Sequence, residues 1–514
     1  MKTHSLTLPL PAATAAPPRR IAWWRLLAVL AVVFVWLGAT AGLRPLTLPD
    51  EGRYVGVALE MLHADHSAVP TLAGLPFFHK PPLFYWITEA SLRVFGVTQW
   101  AARLASVLGA TLGALALYLL VRRRASERVA RLVLLGLLTQ PLWFLGAQFA
   151  NMDMLVAGCI SATIALLAHA AWQWQDGLPW RRTLLAAYVC AALGVLAKGL
   201  IGAVIPALVM LAWLGAQKRW RTIVALLWLP GMAAFALVAA PWFVRMQSEF
   251  PGFLHYFIVV QHVQRFAQSG FNNAQPVWFY PAVLVLLSLP WIVWLGRAVW
   301  RAYWQRVARE PLLLLMWVWL ATVVVFFSLP QSKLVGYVLP AVPPLAFLMV
   351  DAALPLRRSR LFGSAAVSAL VCLGAVTALT IHPPLSNREL GQALAAQRQP
   401  AEPIVFVDDY YYDLAFYAGT RTPALVADDW GKPELRQADN WRHEVADAAA
   451  FSPAVAARQL IDAGTLNARL CSGSPRAWLV VTHAVESRYP FLQSAERVAS
   501  NKDAALWRVD RGVP

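Results

Sequence analysis

Charge is scarce in this chain: only 14% of its 514 residues are Asp, Glu, Lys or Arg, against roughly 25% in a soluble globular domain. With 59% of residues hydrophobic, that scarcity excludes a conventional soluble protein and places the chain in a bilayer. Cysteine is sparse as well. Cys159, Cys190 and Cys372 fall inside apolar runs and Cys471 stands alone in a polar stretch, so neither a disulfide framework nor a cysteine metal site is implied. Acidic residues are the scarcest group over residues 1–384, which hold 11 Asp/Glu beside 30 Lys/Arg, whereas 385–514 hold 16 and 14. The net charge of +17 therefore belongs to the apolar part, which removes the nucleic-acid partner that such a charge would otherwise suggest.

What the chain has in abundance is apolar runs long enough to cross a membrane, for which roughly 20 helical residues are needed. Eleven are expected, near 21–43, 98–121, 132–150, 153–172, 183–198, 201–216, 222–245, 277–296, 311–328, 337–354 and 361–383. The first is long, lacks a clear cleavage site and is followed by further spans, so it reads as retained. Arginine and lysine cluster in alternate connections, at Arg19–Arg25, Arg122–Arg131, Arg181–Arg182, Lys218–Arg221, Arg297–Arg309 and Arg357–Arg360. The positive-inside rule puts these six clusters in the cytoplasm with the N-terminus. The loop 44–97, the junctions near 151 and 199, the loops 246–276 and 329–336, and the tail after 384 then face the periplasm.

That tail has soluble composition, with strand-like runs at Pro403–Val407, Ala477–Thr482 and Ala505–Val509 and helix-forming stretches around 386–398 and 452–463. The expected organisation is a transmembrane catalytic domain over 1–384, with an amphipathic periplasmic loop at 44–97, and a periplasmic α/β domain over 385–514.

Five of the 11 acidic residues of the membrane part occupy the first outward loop, including Asp50 and Glu51 of Leu48-Pro-Asp-Glu-Gly-Arg-Tyr54. Pro49 and Asp50 mark a helix start, and Val55, Leu59 and Leu62 give that helix an apolar face for the membrane surface. An N-cap needs only one short polar side chain, while this turn adds Glu51, Arg53 and Tyr54. In Phe77-Phe-His-Lys-Pro-Pro-Leu-Phe-Tyr-Trp86 the proline pair launches a second surface helix beside Lys80, an ammonium suited to a phosphate whose tail stays in the bilayer. Asn151-Met-Asp153, Lys198-Gly199, and Gln331-Ser-Lys333 with Tyr337 put further polar groups at outer span ends, where charge is costly enough to suggest function. His262 and Arg265 lie three residues apart in the loop 246–276, and arginine binds phosphate bidentately. Collectively these residues describe a cationic outer pocket with a few carboxylates, able to neutralise a lipid-linked phosphate leaving group while a carboxylate acts on the acceptor.

Taken in order, Pro49-Asp-Glu-Gly-Arg-Tyr54, Lys80-Pro-Pro-Leu-Phe-Tyr-Trp86, Met152-Asp-Met154, Ala197-Lys-Gly199, His262-Val-Gln-Arg-Phe266 and Ser332-Lys-Leu334 with Tyr337 resemble the bacterial 4-amino-4-deoxy-L-arabinose transferase family. These enzymes are relatives of the protein O-mannosyltransferases in the GT-C superfamily. The resemblance implies a polytopic α-helical fold of GT-C type, with 11 to 13 transmembrane helices, two surface helices in the first loop and a C-terminal soluble α/β periplasmic domain. It implies transfer of aminoarabinose from undecaprenyl phosphate to lipid A on the periplasmic face of the inner membrane, which weakens the binding of polymyxin-like peptides. It also implies roles: Asp50 as the catalytic carboxylate, Lys80 and Arg265 on the donor phosphate, and Glu51, Arg53, Tyr54, Asp153, Lys198, Lys333 and Tyr337 lining the cavity. The family commonly has a glutamate where this chain has His79 and an acidic residue where it has Gln261, so two carboxylates are missing. No cofactor is required by this reading, although His79 with His262 would offer imidazoles to a divalent metal such as zinc. Another polyprenyl-phosphate sugar, delivered to a different lipopolysaccharide, glycan or protein acceptor, remains an alternative. A multi-span transporter is the rival from another class, for which repeated halves are often found and none is visible here.

Overall fold

The computed structural model describes residues 22–64, 68–264, 273–432, 435, 440–472 and 476–510, apart from the side chains of residues 262, 263 and 472. Each of the eleven apolar stretches is at least partly helical, but several are not simple rods. α1 (Trp23–Gly38), α4 (Gln99–Arg124), α7 (Met152–Gln175), α8 (Arg181–Lys198) and α9 (Ile201–Ala216) are continuous, while α2 (Asp50–His63) and α3 (Leu83–Phe95) lie in the first loop. The stretch expected at 132–150 is broken into α5 (Glu127–Leu138) and α6 (Pro141–Ala147), bent by 68°. The cause is written in the chain, since Pro141 starts α6 where a proline can open a helix but not continue one. The stretch at 222–245 divides into α10 (Trp220–Leu226) and α11 (Leu229–Glu249), with Pro230 in the first turn of α11. The stretch at 277–296 divides into α12 (Phe279–Leu286) and a 3₁₀ segment, Trp291–Val299, separated by Pro290. α13 (Arg301–Arg309), α14 (Pro311–Ser328), a 3₁₀ turn running into α15 (Val342–Ala353), and α16 (Arg358–Ile381) complete the apolar part.

Among the described residues, six helices are long and apolar enough to cross a bilayer, or seven if the bent α5–α6 pair is one span. α1 and α9 are equally apolar but only 16 residues long. α4 and α7 form the centre of the bundle. Their backbones approach so closely that a Cβ on Gly109 would lie 2.5 Å from Leu155 Cα, and one on Gly158 would collide with Gly109 O. Small residues at the crossing let two helices gain dispersion contact where no water is available to drive them together. α7 is buried along most of its length, while α11, α14 and α16 expose most of theirs, as peripheral helices facing lipid would.

The first loop folds as its pattern suggests. α2 (Asp50–His63) begins at Asp50 with Pro49 before it, and α3 (Leu83–Phe95) begins just after Pro81-Pro82. Between them a small hairpin pairs β1 (Thr71–Leu72) with β2 (Leu75–Pro76) around Ala73 and Gly74, both at positive φ. Glu60 on α2 secures that turn by accepting from Ala73 N at 2.8 Å and Gly74 N at 3.0 Å.

The C-terminal region is an α/β sheet in strand order β5-β4-β3-β6-β8-β7. β3 (Ile404–Val407), β4 (Leu425–Ala427), β5 (Leu460–Ile461) and β6 (Arg476–Thr482) run parallel, and β7 (Glu496–Ser500) and β8 (Ala504–Asp510) add antiparallel strands. The three strands expected from the sequence are β3, β6 and β8. The helix expected at 452–463 ends at Gln459, because Leu460 and Ile461 extend to pair with β4. α17 (Arg388–Gln397) flanks the sheet on one side, and α18 (Leu414–Ala418) and α19 (Trp441–Phe451) reach toward the first loop.

Candidate active site

A cavity of about 510 Å³ opens where the membrane bundle meets the C-terminal sheet region. The bundle side is lined by Asp50, Arg53 and Tyr54 from the first turn of α2, His79 and Lys80 before the proline pair, Asn151 and Asp153 at the start of α7, Lys198 at the end of α8, and Tyr337. The C-terminal region contributes a wall that includes Asn387, Asp409 to Tyr412, Trp441, Glu444 and Asp503. The sequence reading therefore brought Asp50, Arg53, Tyr54, Lys80, Asp153, Lys198 and Tyr337 to one place, and the fold does the same.

Asp50 is not an N-cap: Pro49 holds that position and no side chain caps the helix. Its Oδ1 instead accepts from Arg53 Nη2 at 2.5 Å, an i,i+3 pair on α2. Arg53 Nη1 donates to Glu444 on α19, whose other oxygen accepts from Tyr412 Oη at 3.0 Å. The guanidinium also lies 5.0 Å from the centroid of the Tyr54 ring. Burial lowers the pKa of Arg53, but Glu444, the tyrosines and Asp50 more than offset it, so the net shift is upward and the charge is permanent. Burial likewise pushes the Tyr54 phenol up, leaving it protonated.

A second pair faces the first. Asn151 Oδ1 accepts from Asp153 N at 2.9 Å and so caps α7, which aims the Asp153 carboxylate at the Lys198 ammonium. Lys198 sits 4.1 Å over the Tyr337 ring, a cation–π contact at a desolvated end. Gly336 is required there, because a Cβ would strike the Asp153 carboxylate.

Two residues expected in the cavity face elsewhere. Glu51 points away from it, fully buried, and accepts from Arg44 Nη1 at 2.5 Å, Arg103 Nε and Nη2 at 2.8 and 2.9 Å, Thr47 N at 2.9 Å and Ala150 N at 2.7 Å. Burial alone would push this carboxyl up, but the Arg103 and Arg44 guanidiniums outweigh it and hold the pKa at about 2. Glu51 is a structural hub tying α2 to α4 and to the start of α7. Lys333 is held between two loops, donating to Gln275 O at 2.8 Å and to Pro330 O of its own loop at 2.6 Å. Arg265 lies outside the described residues, as does the side chain of His262.

His79 stacks on Phe77 with centroids 4.6 Å apart, and its Nδ1 is 3.9 Å from Glu444 Oε1. Among the described residues no three His, Cys, Asp or Glu side chains converge as metal ligands. A zinc site at His79 would therefore need ligands from outside them.

Residues 79–244 match the model of the dolichyl-phosphate-mannose-protein mannosyltransferase family. The chain is 32% identical over 369 residues to the undecaprenyl phosphate-alpha-4-amino-4-deoxy-L-arabinose arabinosyl transferase of Erwinia tasmaniensis, covering 68% of this chain and 66% of that one. It is 34% identical over 375 residues to arabinosyl transferase 1 of Sodalis glossinidius, covering 70% and 64%. The chain belongs to the 4-amino-4-deoxy-L-arabinose transferase family.

Membership agrees with the fold. The crystal structure of ArnT from Cupriavidus metallidurans, bound to undecaprenyl phosphate, superposes with a TM-score of 0.79 at 22% identity, over 96% of this chain and 99% of that one. The apo oligosaccharyltransferase of Archaeoglobus fulgidus superposes more distantly, with a TM-score of 0.52 at 13% identity over 91% of this chain and 70% of that one. The architecture is thus GT-C. In sequence, the matched region spans just under two thirds of the curated arabinosyl transferases named above.

His79 and Gln261, where the resemblance led to an expected carboxylate, both lie near one supplied by α19. Glu444 is beside His79, and Gln261 Nε2 donates at 2.8 Å to Tyr256 Oη, which donates at 2.9 Å to Asp447. Sequence reasoning missed this wall because carboxylates are ordinary in a soluble region. Its one signal was the run Asp409-Tyr-Tyr-Tyr-Asp413, an unusual density of aromatics between acids.

Proposed function

We propose that the chain is an inner-membrane glycosyltransferase that moves 4-amino-4-deoxy-L-arabinose from undecaprenyl phosphate to lipid A at the periplasmic face. The observation that carries this reading is the cavity in which Asp50, Arg53, Lys80, Asp153, Lys198 and Tyr337 converge from five separated segments. The alternating arginine clusters, which put the connections bearing these residues on the periplasmic side, support the orientation.

In this reaction an oxygen of the acceptor phosphate attacks the anomeric carbon of the sugar. The bond from that carbon to the donor phosphate oxygen breaks, and undecaprenyl phosphate departs with the electron pair. A phosphate acceptor is already anionic and needs no general base, so Asp50 stabilises the positive charge that develops on the sugar and orients the ring. Lys80, with Arg265, receives the charge that accumulates on the leaving phosphate. Asp153 and Lys198 shape the opposite wall as a neutral pair, and the periplasmic α/β domain over 385–514 closes the cavity.

The test is to incubate purified protein with undecaprenyl phosphate-aminoarabinose and lipid A and to follow lipid A mass. Gain of one aminoarabinose with wild type and none with Asp50→Ala is expected. A well-folded wild type that leaves lipid A unmodified but consumes another lipid-linked sugar would replace this donor and acceptor. The missing carboxylates at His79 and Gln261 make such a donor panel the natural second arm.

A further inference from the structure

We propose that Glu444 is a positioning residue for Asp50, acting by dividing the Arg53 guanidinium between two carboxylates. An aspartate and an arginine three residues apart on a helix meet readily, and a guanidinium beside a lone carboxylate tends to close on both of its oxygens. Here it does not. Nη2 of Arg53 goes to Oδ1 of Asp50 at 2.5 Å, while Nη1 is taken by Oε1 of Glu444.

Glu444 can hold that nitrogen because it is itself fixed from two sides. Its Oε2 accepts from Tyr412 Oη at 3.0 Å. It also stands in the first turn of α19, a turn secured by Asn440 Oδ1, which accepts from Arg442 N at 3.0 Å and His443 N at 3.3 Å. The side chain is 9% exposed, so water competes weakly for its charge. Arg53 therefore engages Asp50 through one oxygen only, and the other oxygen keeps its charge for substrate. Loss of Glu444 would let Arg53 swing wholly onto Asp50 and quench it. The C-terminal region then acts on Asp50 through Glu444, by way of Arg53.

The inference rests on the transfer reaction proposed above, with Asp50 acting on the sugar. Steady-state kinetics would be measured for wild type, Glu444→Gln, Glu444→Asp, Arg53→Met and the Arg53→Met/Glu444→Gln double variant, with undecaprenyl phosphate binding as a check on folding. Misplacement of a catalytic group by about an ångström costs on the order of 100-fold, so Glu444→Gln is expected to lower kcat by about 10- to 100-fold with donor KM nearly unchanged. Glu444→Asp should recover part of the rate. The double variant should be no slower than Arg53→Met alone, because Glu444 has nothing to act through once Arg53 is gone.

A raised KM with unchanged kcat, an undiminished Glu444→Gln enzyme, or losses that multiply in the double variant would each overturn the inference. If Glu444→Gln fails to bind undecaprenyl phosphate, Glu444→Asp and the double variant decide by the same criteria. Failure of wild type to transfer any lipid-linked sugar would remove the reaction itself. Transfer by wild type beside an unaffected Glu444→Gln would remove only the role of Glu444.

Discussion

Asp50 and Glu51 are neighbours in sequence and of like charge, yet the fold predicts opposite phenotypes for them. Glu51→Gln preserves side-chain volume but removes the carboxylate that Arg44 and Arg103 share, and both guanidiniums are largely buried. An amide also turns donors toward a cluster in which five donors already compete for two carboxylate oxygens. Breaking a buried ion pair from one side costs about 3–5 kcal/mol, because the partner charge stays desolvated. Thermal unfolding of the purified protein in detergent, followed by tryptophan fluorescence, should show Glu51→Gln melting several degrees below wild type.

The same pair has a pH signature. The folded-state pKa of Glu51, about 2, lies below the ordinary glutamate value of 4.5, so its stabilisation is complete above the unfolded value and lost as pH falls from there toward 2. That difference amounts to about 3 kcal/mol, and Glu51→Gln should flatten this part of the stability profile. Asp50→Asn, by contrast, should melt with wild type and lose transfer. A Glu51→Gln protein as heat-stable as wild type but catalytically dead would refute the structural assignment and return Glu51 to the cavity.

Further outcomes follow from the same geometry. Lys80→Met should weaken binding of undecaprenyl phosphate by about 10- to 100-fold, the range of one charge-assisted hydrogen bond, while binding of a neutral polyprenol stays unchanged; titration of both lipids checks this. Gly336→Ala drives a methyl group into the Asp153 carboxylate, so it should reduce kcat without abolishing folding, measured as transfer rate against size-exclusion profile. Gly158→Leu wedges α7 from α4 at a backbone crossing and should cost more than the 1–3 kcal/mol of ordinary overpacking, read as loss of monodisperse protein after extraction.

Much of the apolar part was legible because a bilayer imposes long apolar runs and arginine marks their connections. The breaks at Pro141, Pro230 and Pro290 were not read from the sequence, because whether a proline bends a span or merely opens a helix depends on what packs beside it. Charges near span ends pointed to Asp50, Arg53, Lys80, Asp153 and Lys198 on the bundle side of the cavity, but not to its C-terminal wall. Glu51 was misplaced because adjacent residues of a helix point about 100° apart, so Asp50 and Glu51 face different surroundings, and its partner Arg103 is 52 residues away. Lys333 was misplaced because a carbonyl-lined loop is invisible in sequence. Glu444 was missed altogether, being one acid among 16 in a region where acids are unremarkable.

The charges of the cavity show how a site at a membrane boundary tolerates them. Asp153 is paired with Lys198, and Asp50 and Glu444 share Arg53, so these three carboxylates are held by cations before any substrate arrives. Unmatched, each would be driven toward its neutral form and would contribute nothing to charge stabilisation. Full matching would be equally useless, since a carboxylate whose two oxygens are both held has no field left for a developing cation. The Asp50–Arg53–Glu444 group avoids both extremes by carrying one more carboxylate than cation, and the excess lies on the wall that the C-terminal region completes. A fold that kept the bundle but released this wall would retain every residue of the first loop and still lose the balance on which Asp50 depends.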